Sequence, residues 1–285
     1  SGKQVQKSGS NMYETEVLFY TNSMNEELDW SIKTRSYLDT AIKQDEFLVY
    51  LQPKYDIATE TLCGAEALIR WKYHGRNLIS PARFIPIFET GGLISKLDDI
   101  VLKKVCSYMK KWKEQGLPLY PISVNLSRKS LGDIGLVDRL TGIVDEYGVD
   151  HSLIDFELTE SAVHDNQKYL ISVMNDLKGR GFKISMDDFG TGYSSLSLLN
   201  ILPFDTIKID KSFVDGIGYS EDKAKENAIM KHVIAMAKDL ELKCLAEGVE
   251  DKEQVELLKE FGCEVIQGYY YSRPLPVEEY ELKLK

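Results

Sequence analysis

Acidic, amide and basic side chains recur at the ends of short apolar segments along this 285-residue chain. Glu66 stands in GAEALIRW, Asn125 in ISVNLS, Glu157 in DFELTE and Asp187-Asp188 in KISMDD. Lys208 stands in TIKID, Glu247 in KCLAEG and Gln267 in EVIQG. Successive side chains of a strand point to opposite faces. Glu66, Leu68 and Arg70 therefore share one face while Ala65, Ala67 and Ile69 share the other. By the same alternation Asn125 opposes Val124 and Leu126, and Glu157 opposes Phe156 and Leu158. Asp187 opposes Ile184 and Met186, and Lys208 opposes Ile207 and Ile209. Carboxylates brought to one place raise one another's pKa unless cations intervene. An oxygen donor set without Cys or His suits hard ions such as Mg2+ or Mn2+ rather than structural zinc. Adjacent Asp187 and Asp188 suggest two such ions, one carboxylate bridging while its neighbour holds the second. Paired divalent ions activate a water and stabilise the attacking and leaving oxygens of a phosphoryl displacement. Lys208 would then be the fixed positive charge beside nucleophile or phosphate, and Arg70 could fork onto a phosphate.

The elements that must position these groups alternate along the chain. Eight strand-like segments cover 47–53, 62–71, 121–127, 154–160, 182–188, 205–210, 242–248 and 264–270. Between them apolar residues recur with a helical period. Leu97, Val101, Val105, Tyr108 and Trp112 mark one helix, and Val137, Leu140, Val144 and Tyr147 another. Leu170, Val173 and Leu177 mark a third, Ile229, Val233 and Ala237 a fourth, and Val255, Leu258 and Phe261 a fifth. An amphipathic helix begins near Leu38 and Ile42, Ser80-Pro81 is a helix start, and Gly148, Gly181 and Gly262 follow helical stretches. Strands separated by helices predict an α/β fold, a (β/α)8 TIM-like barrel whose active site lies at the C-terminal rim of the strands. An open doubly wound sheet is disfavoured because no G-x-G-x-x-G follows the first strand. Gly190 and Gly192, in DFGTGYSSL, suit a mobile loop over the rim.

Composition narrows the function classes. Hydrophobic residues make up 43% and charged residues 28%, enough apolar matter for one sizeable core. The formal charge of −10 argues against binding polymeric nucleic acid, which is driven by Lys and Arg neutralising phosphates. A small phosphate ligand held through metal ions stays open. Cys63, Cys106, Cys244 and Cys263 form no C-x-x-C pair and are expected as reduced thiols, so a cytoplasmic location is expected. Membrane anchoring would require a segment of a parent chain outside this sequence.

EALIRW (66–71), NLS (125–127), ELTES (157–161), DDFGTGYSSL (187–196), KID (208–210), EGVE (247–250) and QGYYYSRPL (267–275) together resemble an EAL domain. The seven motifs follow in order over about residues 36–280. The resemblance implies a barrel whose first strand is antiparallel to the rest. It implies hydrolysis of cyclic di-GMP to linear pGpG with two divalent cations, Mg2+ or Mn2+, and inhibition by Ca2+. By motif, Glu66, Asn125, Glu157 and Asp187 would hold one ion, and Asp187, Asp188 and Glu247 the second. Lys208 would orient the attacking water or act in proton transfer. Gln52, Leu68, Arg70, Gln267 and Glu250 resemble substrate-side positions, and Glu160 the glutamate that steadies the glycine loop. A homodimer is implied as well. The alternative within the family is a catalytically idle receptor for the same nucleotide, which would be expected to lack metal ligands or the glycine loop.

Residues 1–35 read as a leader and 36–285 as the barrel domain. The leader resembles the tail of a GGDEF domain through Lys7, Gly9 and Asn11, which implies regulatory domains upstream in a parent chain.

Overall fold

The computed structural model describes residues 22–159, 167–190 and 199–285. Strands β1 (Phe47–Asp56) and β2 (Leu62–Tyr73) form an antiparallel hairpin. A tight turn then leads into β3 (Asn77–Ile79), which pairs back on β2. The later strands are β4 (Ile122–Asn125), β5 (Ile154–Thr159), β6 (Lys183–Phe189), β7 (Thr206–Ile209), β8 (Lys243–Glu247) and β9 (Val265–Gln267). Parallel pairing runs β2–β4–β5–β6–β7–β8–β9, and β1 closes the ring by pairing antiparallel with both β2 and β9. The result is an eight-stranded closed barrel with its first strand reversed, as the motifs imply. A two-residue β10 (Leu275–Pro276) adds to the outside of β1.

Alternation sets the two faces. Val124, Phe156, Ile184, Met186, Ile207 and Ile209 are buried against the helices that follow each strand, in one continuous apolar core. The interior face is unusual for such a barrel, where branched apolar side chains normally fill the layers. Here it carries Gln52, Lys54, Glu66, Ser123, Glu157, Ser185, Lys208 and Gln267, all buried.

A second apolar cluster packs outside the barrel. Leu38 and Ala41 of the first helix (Asn22–Lys43) join Phe47, Trp71, Phe84 and Phe88 there. The Trp71 ring lies 5.3 Å from that of Phe47, and its Nε1 donates to Glu46 Oε2 at 2.9 Å. This cluster anchors the arm of β2 that leaves the barrel after Ala67, since β2 pairs with β4 only over Ala65–Ala67.

The predicted helices are present at 94–114, 136–147, 167–179, 224–239 and 252–261. Gly148 and Gly262 cap their helices with φ of 63° and 89°. Two expectations need correction. The first helix begins at Asn22 rather than near Leu38. In the helix at 224–239 the core face is Met230, Ile234 and Ala237, while Ile229 is exposed, so the apolar stripe is rotated from the one expected. All four cysteines are free thiols, and three are buried. No helix among the described residues is long and apolar enough to cross a membrane.

Candidate active site

At the barrel mouth one ammonium gathers four carboxylates. Lys208 Nζ lies 2.7 Å from Glu247 Oε1, 2.8 Å from Glu157 Oε2, 2.8 Å from Asp187 Oδ1 and 3.6 Å from Glu66 Oε2. The side chain is 1% exposed. Amides frame Glu66 from both sides: Asn125 Nδ2 donates to its Oε1 at 3.3 Å and Gln267 Nε2 to its Oε2 at 2.6 Å. Gln267 Nε2 also reaches Gln52 Oε1 at 3.3 Å. The β1–β2 register places Gln52 directly opposite Glu66, and the β8–β9 register sets Glu247 beside Gln267.

Asp187 and Asp188 pose a geometric problem, because consecutive strand residues point to opposite faces. The chain solves it with a bulge. Met186 pairs with Ile207 but Phe189 with Ile209, so β6 holds one extra residue, and Asp188 takes a left-handed φ of 55°. A bulge re-aims a side chain locally. Carboxylate oxygens of Asp187, Asp188 and Glu247 consequently lie within 4.8 Å of one another, a grouping able to hold a metal ion. Gly190 follows with φ of 97°, and a Cβ there would sit 2.4 Å from the Phe213 ring, so a side chain is excluded.

The electrostatics are strained in a way that fits cations. Burial pushes the Glu66 carboxyl up, with Glu157 adding to it, and pushes Glu247 up to about 8. Burial together with Asp187 raises Asp188. Glu157 is also desolvated, yet Lys208 and Lys54 beside it hold it down at about 2. Despite its own burial, Lys208 is held well above the usual lysine range by Glu157, Glu247, Glu66 and Asp187. Two buried ammonium groups cannot neutralise this many carboxylates, and the donor set is all oxygen, the chemistry of Mg2+ or Mn2+ sites. Gln267 Oε1 is buried and accepts no hydrogen bond among the described residues. The residues present thus fit a site for divalent cations.

A cavity of about 660 Å3 opens beside the mouth, lined by Leu68, Arg70, Ile94, Asp98, Asn125 and Arg128 among others. Arg70 lies over the Tyr50 ring at 5.6 Å and is half-buried. Asp98 Oδ2 accepts from Ser127 N at 3.1 Å, Ser127 Oγ at 2.7 Å and Ser130 Oγ at 2.6 Å, and so fixes the loop after β4. Burial pushes Asp98 up to about 6 despite those donors. The folded state therefore binds the proton more tightly than the unfolded chain, and this contribution is full below about pH 4 and lost as pH rises through about 6. The stability lost across this range is up to roughly 3 kcal/mol. Asp98→Asn keeps an oxygen acceptor without the charge. Its melting temperature should gain on wild type between pH 4.5 and 7.5, and a pH-independent difference would refute the assignment.

Most of the sequence-predicted residues meet at this mouth: Glu66, Asn125, Glu157, Asp187, Asp188, Lys208, Glu247, Gln52 and Gln267. Glu66 lies in the middle of β2 rather than at its end, because the strand continues past the rim as the anchored arm. Glu250 stays apart, about half exposed and paired with Lys211 at 3.0 Å. Glu160 and Gly192 lie outside the described residues. His74 packs against Tyr37 and Tyr73, and His151 pairs with Asp145, both away from the mouth. Two interior residues escaped the sequence reading. Lys54 donates to Ser123 Oγ at 2.6 Å and to Glu157 Oε1 at 3.0 Å, and Asp155 accepts from Ser185 Oγ at 2.7 Å. Their signal was alternation: Lys54 shares a face with Gln52, and Asp155 with Glu157.

Comparison with known proteins matches residues 35–274 to the EAL domain model. The cyclic di-GMP phosphodiesterase NbdA of Pseudomonas aeruginosa is 35% identical over 92% of this chain and 33% of its own length. The chain spans about a third of the length of the curated relatives it resembles. Among solved structures, the PaMucR phosphodiesterase in complex with c-di-GMP has a TM-score of 0.80 at 34% identity, covering 87% of this chain and 99% of that one. An EAL domain protein from Listeria monocytogenes EGD-e has a TM-score of 0.73 at 31% identity, with 87% and 96% covered. A matched model over most of the sequence and a reversed-strand barrel with acidic residues gathered at its mouth lead to one assignment: the chain belongs to the EAL domain family.

Proposed function

We propose that this domain hydrolyses one phosphodiester bond of cyclic di-GMP to give linear pGpG, with divalent Mg2+ or Mn2+ held by Glu66, Asn125, Glu157, Asp187, Asp188 and Glu247. The observation that carries this reading is the convergence of Glu66, Glu157, Asp187 and Glu247 on the buried Lys208 ammonium. Bound ions would supply an activated water and charge stabilisation on both reacting oxygens. Lys208 stays protonated, so it acts as a donor that orients the attacking water and meets charge on the phosphate, not as the base. Glu247, 2.7 Å from Lys208 Nζ, would help hold an ion beside the attacking water; as that water attacks phosphorus the P–O3′ bond breaks, and the proton the water gives up passes to the departing O3′. Gln52 and Gln267 keep Glu66 in place, and Arg70 presents its guanidinium where the cavity meets the mouth. Leu68 and the apolar part of the cavity suit a guanine base.

The test is chromatography of cyclic di-GMP incubated with the protein and Mn2+ or Mg2+, beside Ca2+ and chelator controls. Conversion to pGpG, suppressed by Ca2+ and lost with chelator, is the expected result. Binding of the nucleotide with Ca2+ but no product under Mn2+ or Mg2+ would instead make this a receptor.

A further inference from the structure

Beneath the carboxylates that face the mouth lies a polar layer that the proposed reaction does not use. Lys54 enters it from β1, the reversed strand, and is buried in the barrel. Its Nζ is fixed from two sides, by Ser123 Oγ at 2.6 Å and Glu157 Oε1 at 3.0 Å. Asp155, one strand-step below Glu157, is close enough to act on Lys54 electrostatically and is itself tied to Ser185 Oγ. Ser123 Oγ in turn reaches the Ala65 carbonyl at 3.4 Å. The two oxygens of Glu157 thus have separate duties. Oε1 is taken from below by Lys54, while Oε2 faces the mouth and lies 2.8 Å from Lys208.

An ammonium buried this deeply is costly unless it is paired. Lys54 is paired, and its partner is the oxygen of Glu157 that is not the one next to Lys208. We propose that Lys54 is a positioning residue for metal binding: it clamps Glu157 from below through Oε1 and leaves Oε2 to the mouth. This rests on the reading of the mouth as a divalent-cation site. Partners behind metal-binding carboxylates commonly change metal affinity about 10- to 100-fold when removed.

The experiment is Mn2+ titration of chelator-stripped protein, following free Mn2+ by its electron paramagnetic resonance signal, with no nucleotide present. Wild type, Lys54→Met, Glu157→Gln and the double variant are compared, each also melted to confirm folding. Lys54→Met is expected to weaken Mn2+ binding at least tenfold in the same step that Glu157→Gln weakens. The double variant should bind no more than about twofold more weakly than Glu157→Gln alone, because Lys54 acts through Glu157. Unchanged Mn2+ affinity in Lys54→Met, or losses that multiply in the double variant, would overturn the role of Lys54 while leaving the metal site standing. No Mn2+ binding by wild type would overturn the metal site itself. If Lys54→Met does not fold, Ser123→Ala tests the same clamp from its other side. It should weaken Mn2+ binding severalfold, and wild-type affinity would overturn the proposal.

Discussion

Lys208→Met is expected to lower turnover of cyclic di-GMP by on the order of a thousandfold or more, and to make the fold depend on divalent cations. Both effects follow from the one ammonium among Glu66, Glu157, Asp187 and Glu247. The methionine side chain matches the length of lysine, so the space stays filled and only the charge and its hydrogen bonds are lost. Removing one partner of a buried ion pair leaves the other uncompensated, at a cost of about 3–5 kcal/mol. In chelator the variant should therefore melt on the order of 10 °C below wild type. Saturating Mn2+ should recover more of the melting temperature in the variant than in wild type, since ions that bind only the folded state stabilise by mass action. An equal Mn2+ response in both proteins would mean that Lys208 and the metal do not share these carboxylates. Wild-type turnover would remove Lys208 from the proposed mechanism.

Much of this site was legible because the interior face of a barrel strand is read by simple alternation. Glu157, Lys208 and Glu247 each occupy an alternating position in a strand with an apolar outer face, so their convergence followed once the barrel was inferred. What escaped had local physical causes. Alternation sends Asp188 away from Asp187, and only the extra residue in β6 with its left-handed backbone brings the two together. Their adjacency suggested a shared role, but the device that makes it feasible is invisible in residue types. Lys54 was missed because Pro53 looks like the end of a strand, since proline cannot donate to a ladder. The strand nonetheless continues to Asp56, helped by a register shift at Lys54 and Tyr55 that leaves Cys63 as the extra residue in β2. The rotated stripe of the helix at 224–239 has a different origin. Ile229 and Met230 both satisfy an apolar pattern, and packing chose the second.

The site also depends on a residue with no side chain at all. Gly268 directly follows Gln267, and a Cβ there would lie 2.1 Å from Val249 O and 2.3 Å from Val249 N. Both obstacles are backbone, so no rotamer change can relieve them. The two segments are already tied: Val249 N donates to Gln267 O at 3.2 Å, and Tyr270 N donates to Val249 O at 2.9 Å. Gly268 thus allows the end of β9 to lie directly on the turn after β8, and this contact fixes Gln267 relative to Glu247. Gly268→Ala must push the turns apart and break at least one of those bonds, costing on the order of 3 kcal/mol or more. Thermal melting should show a loss of about 6–12 °C, or failure to accumulate as folded protein. If it folds, Mn2+ affinity and turnover should both fall, because Glu247 and Gln267 move together. Gly142 gives the contrast. It lies inside the helix at 136–147 and nothing would come within 4 Å of an added Cβ. Gly142→Ala should therefore stabilise by up to about 1 kcal/mol through helix propensity, with unchanged turnover. A Gly268→Ala protein as stable and active as Gly142→Ala would show that the β8–β9 contact does not hold the site.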